Sequence, residues 1–430
     1  MSYLIHFIPI IFFILLFVGS GIYFTLLDIP NAFYQFSPLT AIMPAIALAW
    51  SLHRGTTQQK MHDFLDGVRH KDIITMCIIF LLAGAFSEVT KQIGSVDATV
   101  NFALSFISTK FLLIGLFLVS AFVSTSIGTS VGTIATIAPI GFALSNQIGL
   151  SAPLCMGTII GGAMFGDNLS IISDTTIAAV MSQEADMKKK LILNARVAFV
   201  ASIITMGLLT LDSSIYLSPE VGDYNIFLIT PYILLIILAV CGINVFISLS
   251  VSICCAALIG FLLKDNYSIL IFSQDLNRGF ASMNEIMLLS LMVGGISGLT
   301  GKAVNAELAN KLSSWISKKN AGPKLTQLII AKLVSIFDIL LAYNTIAIIF
   351  TGEIARELAK KHKIPPHYSA AWLDIFSCVF QGLLPYGAQI LLASAIAQVS
   401  PLDVVPYVYY CYILGAVALC YIIFGKTKLA

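Results

Sequence analysis

The chain has 430 residues, of which 58% are hydrophobic and only 11% are charged, whereas soluble domains usually carry about 25% charged residues. With a mean hydropathy of +0.93, it is typical of a helical membrane protein, and its length allows about ten to twelve spans. The net charge of +2 is uninformative by itself, but the sequence has no basic tract that would suggest nucleic acid as a partner. The eight cysteines show no spacing typical of a metal site, so we expect no cofactor.

The first half of the chain contains several apolar runs that predict membrane spans. The run at 4–27 is too long for a signal-peptide core and predicts the first span. Further apolar segments follow at 37–52, 73–87 and 111–126. The last of these runs into STSIGTSVGT at 124–133, where glycines and hydroxyls predict an interrupted helix or a re-entrant hairpin that faces a cavity.

The stretch GGAMFGDNLSIISDTT at 161–176 places several polar side chains between apolar segments. It carries two carboxylates, Asp167 and Asp174, although an ionised group inside a membrane is costly and is retained mainly where it has a function. The alternative is a cytoplasmic loop in which the Asp and Ser residues only cap helices. Apolar segments on both sides favour a position within the bilayer.

The second half of the chain repeats the order of features in the first half. LDGVRHKDIITMCIIFLL, from Leu65, aligns with LNRGFASMNEIMLLSLMV, from Leu276, and the region of the two carboxylates falls opposite QGLLPYGAQ at 381–389. The predicted organisation has an N-terminal transmembrane segment, a first repeat, a connecting loop with a transmembrane segment, and a second repeat, at 1–36, 37–211, 212–242 and 243–430.

The distribution of Lys and Arg predicts that the two repeats have opposite orientations. Segment 184–196 contains four of these residues and its counterpart 398–407 contains none, whereas 144–151 contains none and its counterpart 356–366 contains four. Because cytoplasmic loops are enriched in Lys and Arg, equivalent loops are expected on opposite faces of the membrane. The predicted fold is therefore an all-α polytopic membrane protein with an inverted-topology repeat, broken helices and re-entrant hairpins.

Inverted repeats with broken helices place a substrate site near the bilayer midplane, where unwound backbone segments meet. Hydroxyl, amide and carboxylate oxygens are the ligands that hard cations such as Na+ prefer. A carboxylate in a poorly solvated site also binds protons readily, so that H+ and Na+ can compete for Asp167 or Asp174. The first half offers Thr129, Ser130, Thr133, Asp167, Asn168, Ser173, Asp174 and Thr175, and the second half offers Asn344, Thr345, Gln381 and Gln389, near Pro385 and Gly387.

Two further carboxylates lie within apolar segments of the second half. Asp338 lies six residues before Asn344 and either faces the same cavity or pairs with Lys332 or a neighbouring helix. Asp374 lies seven residues before Gln381 and therefore near the same helical face. We include Asp374 among the candidate ion-binding residues, although a purely structural pairing is an equally good interpretation.

The motif GAMFGDNLSIISDTT resembles the signature of the NhaC-type Na+/H+ antiporter family. The segments TSIGTSVGT, AYNTIAIIFTGE and LLPYGAQ resemble its other conserved elements. The resemblance implies a scaffold domain, a transport domain with two re-entrant hairpins, elevator-type movement and a homodimer. It also implies that the two groups of oxygen donors given above form the cation sites. The chain departs from the family at Asn168–Ile171, where antiporters often have Lys-Met/Leu-Ser-Pro.

We therefore predict a secondary transporter of the cytoplasmic (inner) membrane that exchanges Na+ for H+, with both termini in the cytoplasm. The alternative is a Na+- or H+-coupled transporter of a small amino acid or carboxylic acid, for which a small organic solute would be a further partner. An intramembrane enzyme is not expected, because the sequence contains no HExxH motif and no aspartyl or Ser/Lys catalytic pair.

Overall fold

The computed structural model describes residues 8–27, 29, 35–106, 111–171, 173–211, 222–241, 243–299 and 322–425. These residues form α-helices and short 3₁₀ turns, and no β-strand occurs among them. The helices are α1 (Ile8–Leu26), α2 (Pro38–Leu52), α3 (Thr57–Val68), α4 (Lys71–Gln92), α5 (Ser95–Phe106), α6 (Leu112–Ile127), α7 (Ser130–Ile148), α8 (Ala152–Leu169), α9 (Asp174–Gln183), α10 (Met187–Leu211), α11 (Thr230–Val240), α12 (Val245–Leu263), α13 (Ile269–Ser282), α14 (Asn284–Leu299), α15 (Pro323–Leu341), α16 (Asn344–Lys361), α17 (Pro366–Gln381), α18 (Ala388–Ala397), α19 (Pro401–Val404) and α20 (Tyr409–Phe424).

Several of these helices are long and apolar enough to cross a membrane. They are α4, α7, α10, α12 and the stretch Ala152–Gln183, which contains α8 and α9. Two bent pairs pass the same test together: α13 with α14, at an angle of 41°, and α18 with Pro401–Tyr407, at 103°. Shorter apolar helices are α1, α2, α6, α11 and α20. The prediction of an all-α polytopic membrane protein with broken helices is confirmed.

Among the described residues, α3, α4 and α6–α9 follow one another in the first half as α13, α14 and α15–α18 do in the second half. Helices of one half pack against non-equivalent helices of the other half. Helix α3 packs against α14 through Gly67 and Gly294, and α4 packs against α13 through Gly84 and Gly279. A Cβ atom at Gly84 would lie 2.3 Å from the carbonyl oxygen of Gly279, so only glycine allows this approach. In the same way α7 contacts α18, and α16 contacts α9.

Two helix breaks of the first half have counterparts at equivalent places in the second half. Helices α6 and α7 are separated at Gly128, which has a φ of 77°, and α15 and α16 are separated at Ala342, which has a φ of 53°. Both residues have the left-handed conformation that stops an α-helix. The second breaks separate α8 from α9 and α17 from α18. The interruption predicted at 124–133 is therefore confirmed, and the stretch that carries the two carboxylates and its counterpart at 381–389 contain breaks as well.

The predicted loops are only partly covered by the described residues. Most of the basic segment 302–324 and the first part of the connecting segment 212–242 lie outside them. The sequence also predicts a basic loop containing Lys188, Lys189 and Lys190, and this prediction is wrong. Helix α10 begins at Met187, and Lys190 in its first turn is fully buried.

Candidate ion-binding site

The four helix breaks surround a cavity of about 70 Å³. Hydroxyl, amide and carboxylate side chains from both halves line it, together with apolar side chains from α4. Exposed backbone at the breaks adds further polar groups, because the last carbonyls and first amides of a helix have no partner within it. The lining residues are Thr75, Met76, Ile79, Gly128, Thr129, Ser130, Val131, Asp167, Ser173, Asp174, Thr175, Tyr343, Asn344, Thr345, Gln381 and Gln389.

Asp167 is the buried carboxylate of this cavity. It lies in the last turn of α8 with 4% of its surface exposed. The Ser130 hydroxyl donates to Oδ2 at 3.0 Å, and the Ser173 hydroxyl donates to Oδ1 at 2.5 Å. Among the described residues Asp167 forms no ion pair. Because an uncompensated buried charge is unfavourable, this carboxyl group requires a bound cation or a proton.

Asp174 occupies a different environment on the other side of the same break. It is the first residue of α9 and its side chain is exposed, although it also lines the cavity. A carboxylate in the first turn of a helix interacts favourably with the helix dipole. Asp174 therefore differs from Asp167 in both its exposure and its position relative to a helix end.

Two glutamines from the second half complete the opposite side of the cavity. Gln389 donates from Nε2 to the Ser130 hydroxyl at 3.1 Å, and Gln381 donates to Gln389 Oε1 at 2.9 Å. Gln381 Nε2 also donates to the carbonyl oxygen of Ala342 at 3.3 Å. The Gln381 Oε1 atom is buried and has no hydrogen-bond partner among the described residues. It is therefore an acceptor that is available to a cation in the cavity.

Ten of the predicted site residues line the cavity: Thr129, Ser130, Asp167, Ser173, Asp174, Thr175, Asn344, Thr345, Gln381 and Gln389. Four others do not line it. The Thr133 hydroxyl donates to the carbonyl of Thr129 at 3.0 Å, and the Asn168 side chain donates to that of Met164 at 3.1 Å. Pro385 lies in the connection between α17 and α18, and Asp374 is described below. The sequence did not single out Thr75 of α4, whose lone hydroxyl is a weak signal in an apolar helix.

Asp374 pairs with a lysine of the first half instead of lining the cavity. Lys190 Nζ lies 2.5 Å from Asp374 Oδ2, and both side chains are fully buried. Asp374 therefore forms the structural ion pair that was the alternative interpretation of this residue. Its position does not support a role as a direct ligand of the ion. Lys190 was missed because three consecutive lysines are typical of a solvated loop.

Of the arrangements that the sequence suggests for Asp338, the structure does not support a position on the cavity or a pair with Lys332. Its side chain is fully buried in α15 and does not line the cavity, while Lys332 is exposed on another face of that helix. Its carboxyl oxygens form no hydrogen bond with the described residues.

Comparisons with known proteins show to which family the chain is similar. The family model of the Na+/H+ antiporter family matches residues 2–212 and again residues 208–426. The Na(+)/H(+) antiporter NhaC of Bacillus subtilis is 23% identical over 407 residues, covering 87% of this chain and 88% of that protein. The malate-2H(+)/Na(+)-lactate antiporter of Bacillus subtilis is 22% identical over 389 residues, covering 81% of each chain.

Among solved structures, the YdaH transporter of Alcanivorax borkumensis is similar with a TM-score of 0.43 and 13% identity, over 95% of this chain and 99% of that chain. The two matches of the family model extend over nearly the whole chain and confirm the resemblance that the motifs carry. The protein is accordingly a multi-pass membrane protein of a transporter family. The chain belongs to the Na+/H+ antiporter family.

Proposed function

We propose that the protein exchanges Na+ for H+ and that Asp167 is the group for which the two ions compete. The observation that carries this proposal is the position of Asp167, a buried carboxylate on the cavity with two hydroxyl donors and no cationic partner among the described residues. Either ion neutralises the carboxylate, and the two ions exclude each other. Binding to one shared group is sufficient to couple opposing fluxes of Na+ and H+.

The size and donors of the cavity support a small cation as the substrate. A cavity volume of about 70 Å³ is several times the roughly 10–15 Å³ that one water needs by the same measure, so it accommodates an ion with a few waters. Pockets for larger organic ligands usually measure about 300–1,000 Å³. Carboxylate, hydroxyl and amide oxygens also match the preference of hard cations.

A second cavity supports an alternating-access mechanism. It measures about 520 Å³ and is lined by later turns of α4, α7 and α18, the helices that also line the ion site. Lys91, Asn146 and Gln398 line it at the ends of α4, α7 and α18. The distribution of Lys and Arg places segments 144–151 and 398–407, and therefore this end of the cavity, on the side opposite the cytoplasm. In the proposed mechanism this vestibule joins the ion site in another conformation. The proposal includes elevator-type movement of a transport domain against a scaffold domain in a homodimer.

An organic solute is the second candidate substrate. Two relatives favour it: the malate-2H(+)/Na(+)-lactate antiporter, and the arginine/ornithine antiporter ArcD of Halobacterium salinarum, which is 25% identical over 127 residues, or 29% of this chain and 26% of that protein. The vestibule is large enough for such a solute, whereas the central cavity is small.

The experiment that tests the proposal measures Na+-driven proton movement in proteoliposomes with an internal pH dye. We expect Na+ alone to dissipate an imposed proton gradient, with K+ as the control cation. One proton and one Na+ compete for one group. In the acidic range the KM for Na+ should therefore rise by about tenfold for each unit by which the pH is lowered.

Two outcomes would contradict the proposal. A KM for Na+ that does not change with pH would mean that the ions do not share a group. A proton flux that appears only when malate, lactate or an amino acid is added would identify the protein as a coupled carrier of organic solutes.

A further inference from the structure

A buried polar cluster lies beside the helix break that carries Asp167. It consists of Lys190 and Asn194 on α10 and Asp374 on α17, and we call it the α10–α17 clamp. Lys190 Nζ and Asn194 Nδ2 both donate to Asp374 Oδ2, at 2.5 and 2.7 Å. All three side chains are fully buried, and none of them lines the ion cavity.

The clamp binds both sides of the break between α8 and α9. Asn194 Nδ2 donates to the carbonyl oxygen of Asn168 at 3.0 Å, and Lys190 Nζ donates to the Thr176 hydroxyl at 2.7 Å. Asn168 follows Asp167 directly, and Thr176 follows Thr175. The carbonyl of Asn168 belongs to the last turn of α8, where carbonyl groups have no partner within the helix.

The energetics indicate that the ion pair does more than stabilise the fold. A buried ion pair contributes little net stability, because desolvation of the two charges offsets their attraction, and apolar residues of similar volume often replace such a pair without loss. Here Lys190 of the pair also donates to Thr176, and Asn194, which donates to Asp374, donates to the carbonyl of Asn168 as well. These contacts reach the two chain segments that present Asp167 and Thr175 to the cavity. Hydrogen bonds of this kind fix the geometry of a functional site.

The clamp also connects the two halves of the cavity. Asp374 lies on α17, seven residues or two helical turns before Gln381, whose side chain lines the opposite side of the cavity. Because a buried helix moves as a rigid element over two turns, the clamp fixes the spacing between the break that holds Asp167 and the helix that presents Gln381.

We propose that Lys190, Asn194 and Asp374 are positioning residues for the ion site, which set its affinity for Na+ without contacting the ion. This inference rests on the proposed function only for the identity of the ion. It assigns Asp374 a role in ordering the site, and it gives the same role to Lys190 and Asn194.

The test uses the double variant Lys190→Met/Asp374→Leu, which removes both charges together and leaves neither one unpaired. We expect a folded protein with a thermal unfolding midpoint near that of the wild type. We also expect its KM for Na+ to rise by about tenfold or more, since small displacements of a site are costly, while the maximal rate changes much less. Lys189→Met is the matched control, because Lys189 is exposed in the same turn of α10.

A second variant, Asn194→Leu, keeps the ion pair and removes the hydrogen bond to Asn168, and we expect its KM for Na+ to rise as well. Unchanged KM values in both variants, at unchanged unfolding midpoints, would overturn the proposal. A wild type and Lys189→Met variant without Na+-driven exchange would contradict the proposed function instead. In that case Na+-induced thermal stabilisation, compared between wild type and variants, still tests the clamp.

Discussion

Helices α8 and α17 occupy equivalent places in the two halves, yet they present different chemistry to the cavity. At the end of α8, Asp167 offers a carboxylate whose described partners are hydroxyl groups. At the end of α17 the cavity residue is Gln381, a neutral amide. The carboxylate of α17, Asp374, lies two turns earlier and is neutralised by Lys190. Each helix therefore carries one buried carboxylate, but only that of α8 faces the cavity.

This difference leaves a symmetric framework with one buried carboxylate at the cavity among the described residues. A second buried carboxylate facing Asp167 would bind a cation more strongly, but the two would repel each other whenever the site is empty. With amides on the opposite side, a single positive charge neutralises Asp167, while Asp174 is exposed in the first turn of α9. The hydrogen bonds from Gln381 to Gln389 and from Gln389 to Ser130 then join the neutral half to the charged half.

The largest expected effect comes from removing the charge of the first half. In Asp167→Asn the cavity keeps its shape and loses the group that both ions require. We expect Na+-driven proton exchange in proteoliposomes to fall by roughly a hundredfold or more, because a charge-assisted ligand in a buried site is lost.

Asp174→Asn is the matched comparison for this variant. Asp174 is exposed at the start of α9, where a helix dipole interaction is worth about 0.3–1 kcal/mol. Its KM for Na+ should therefore change by less than about fivefold. A larger loss in Asp174→Asn than in Asp167→Asn would reverse the assignment of the two carboxylates.

The next effect concerns Asp374, the buried carboxylate of the second half, whose charge Lys190 of the first half neutralises. The single variant Lys190→Met leaves the Asp374 carboxylate buried without its cation. We expect the free energy of unfolding to fall by about 3–5 kcal/mol, measured as a lower thermal midpoint in detergent. Lys189→Met should lower it by less than about 0.5 kcal/mol. Equal midpoints for the two variants would show that Asp374 does not depend on Lys190.

The smallest effect concerns the amide side of the cavity. Gln389→Ala removes two neutral hydrogen bonds, those with Ser130 and Gln381. We expect Na+ affinity to fall by about 1–2 kcal/mol, or about five- to thirtyfold, while transport is retained. Ser394→Ala, on the same helix but away from the cavity, serves as the control. Complete loss of transport in Gln389→Ala would mean that the two halves contribute equally.

Much of the site could be predicted from local sequence. Polar residues in apolar segments are costly, so Asp167, Ser173 and Thr175 stand out without any knowledge of the fold. Gln381 and Gln389 were found because the repeat aligns their segment with the first motif. Residues within apolar helices gave little signal, and Thr75 was missed for this reason.

The sequence by itself determined that the chain is an all-helical membrane protein with two similar halves and broken helices, because hydropathy and helix-breaking residues act locally. Only the tertiary structure decided which carboxylate faces the cavity and which is paired. Lys190 and Asp374 are 184 residues apart in the chain and belong to different halves. Their pairing depends on how α10 packs against α17, and no local pattern encodes that contact. The buried position of Asp167, without an ion pair in the part of the chain that the structure describes, follows from helix packing as well.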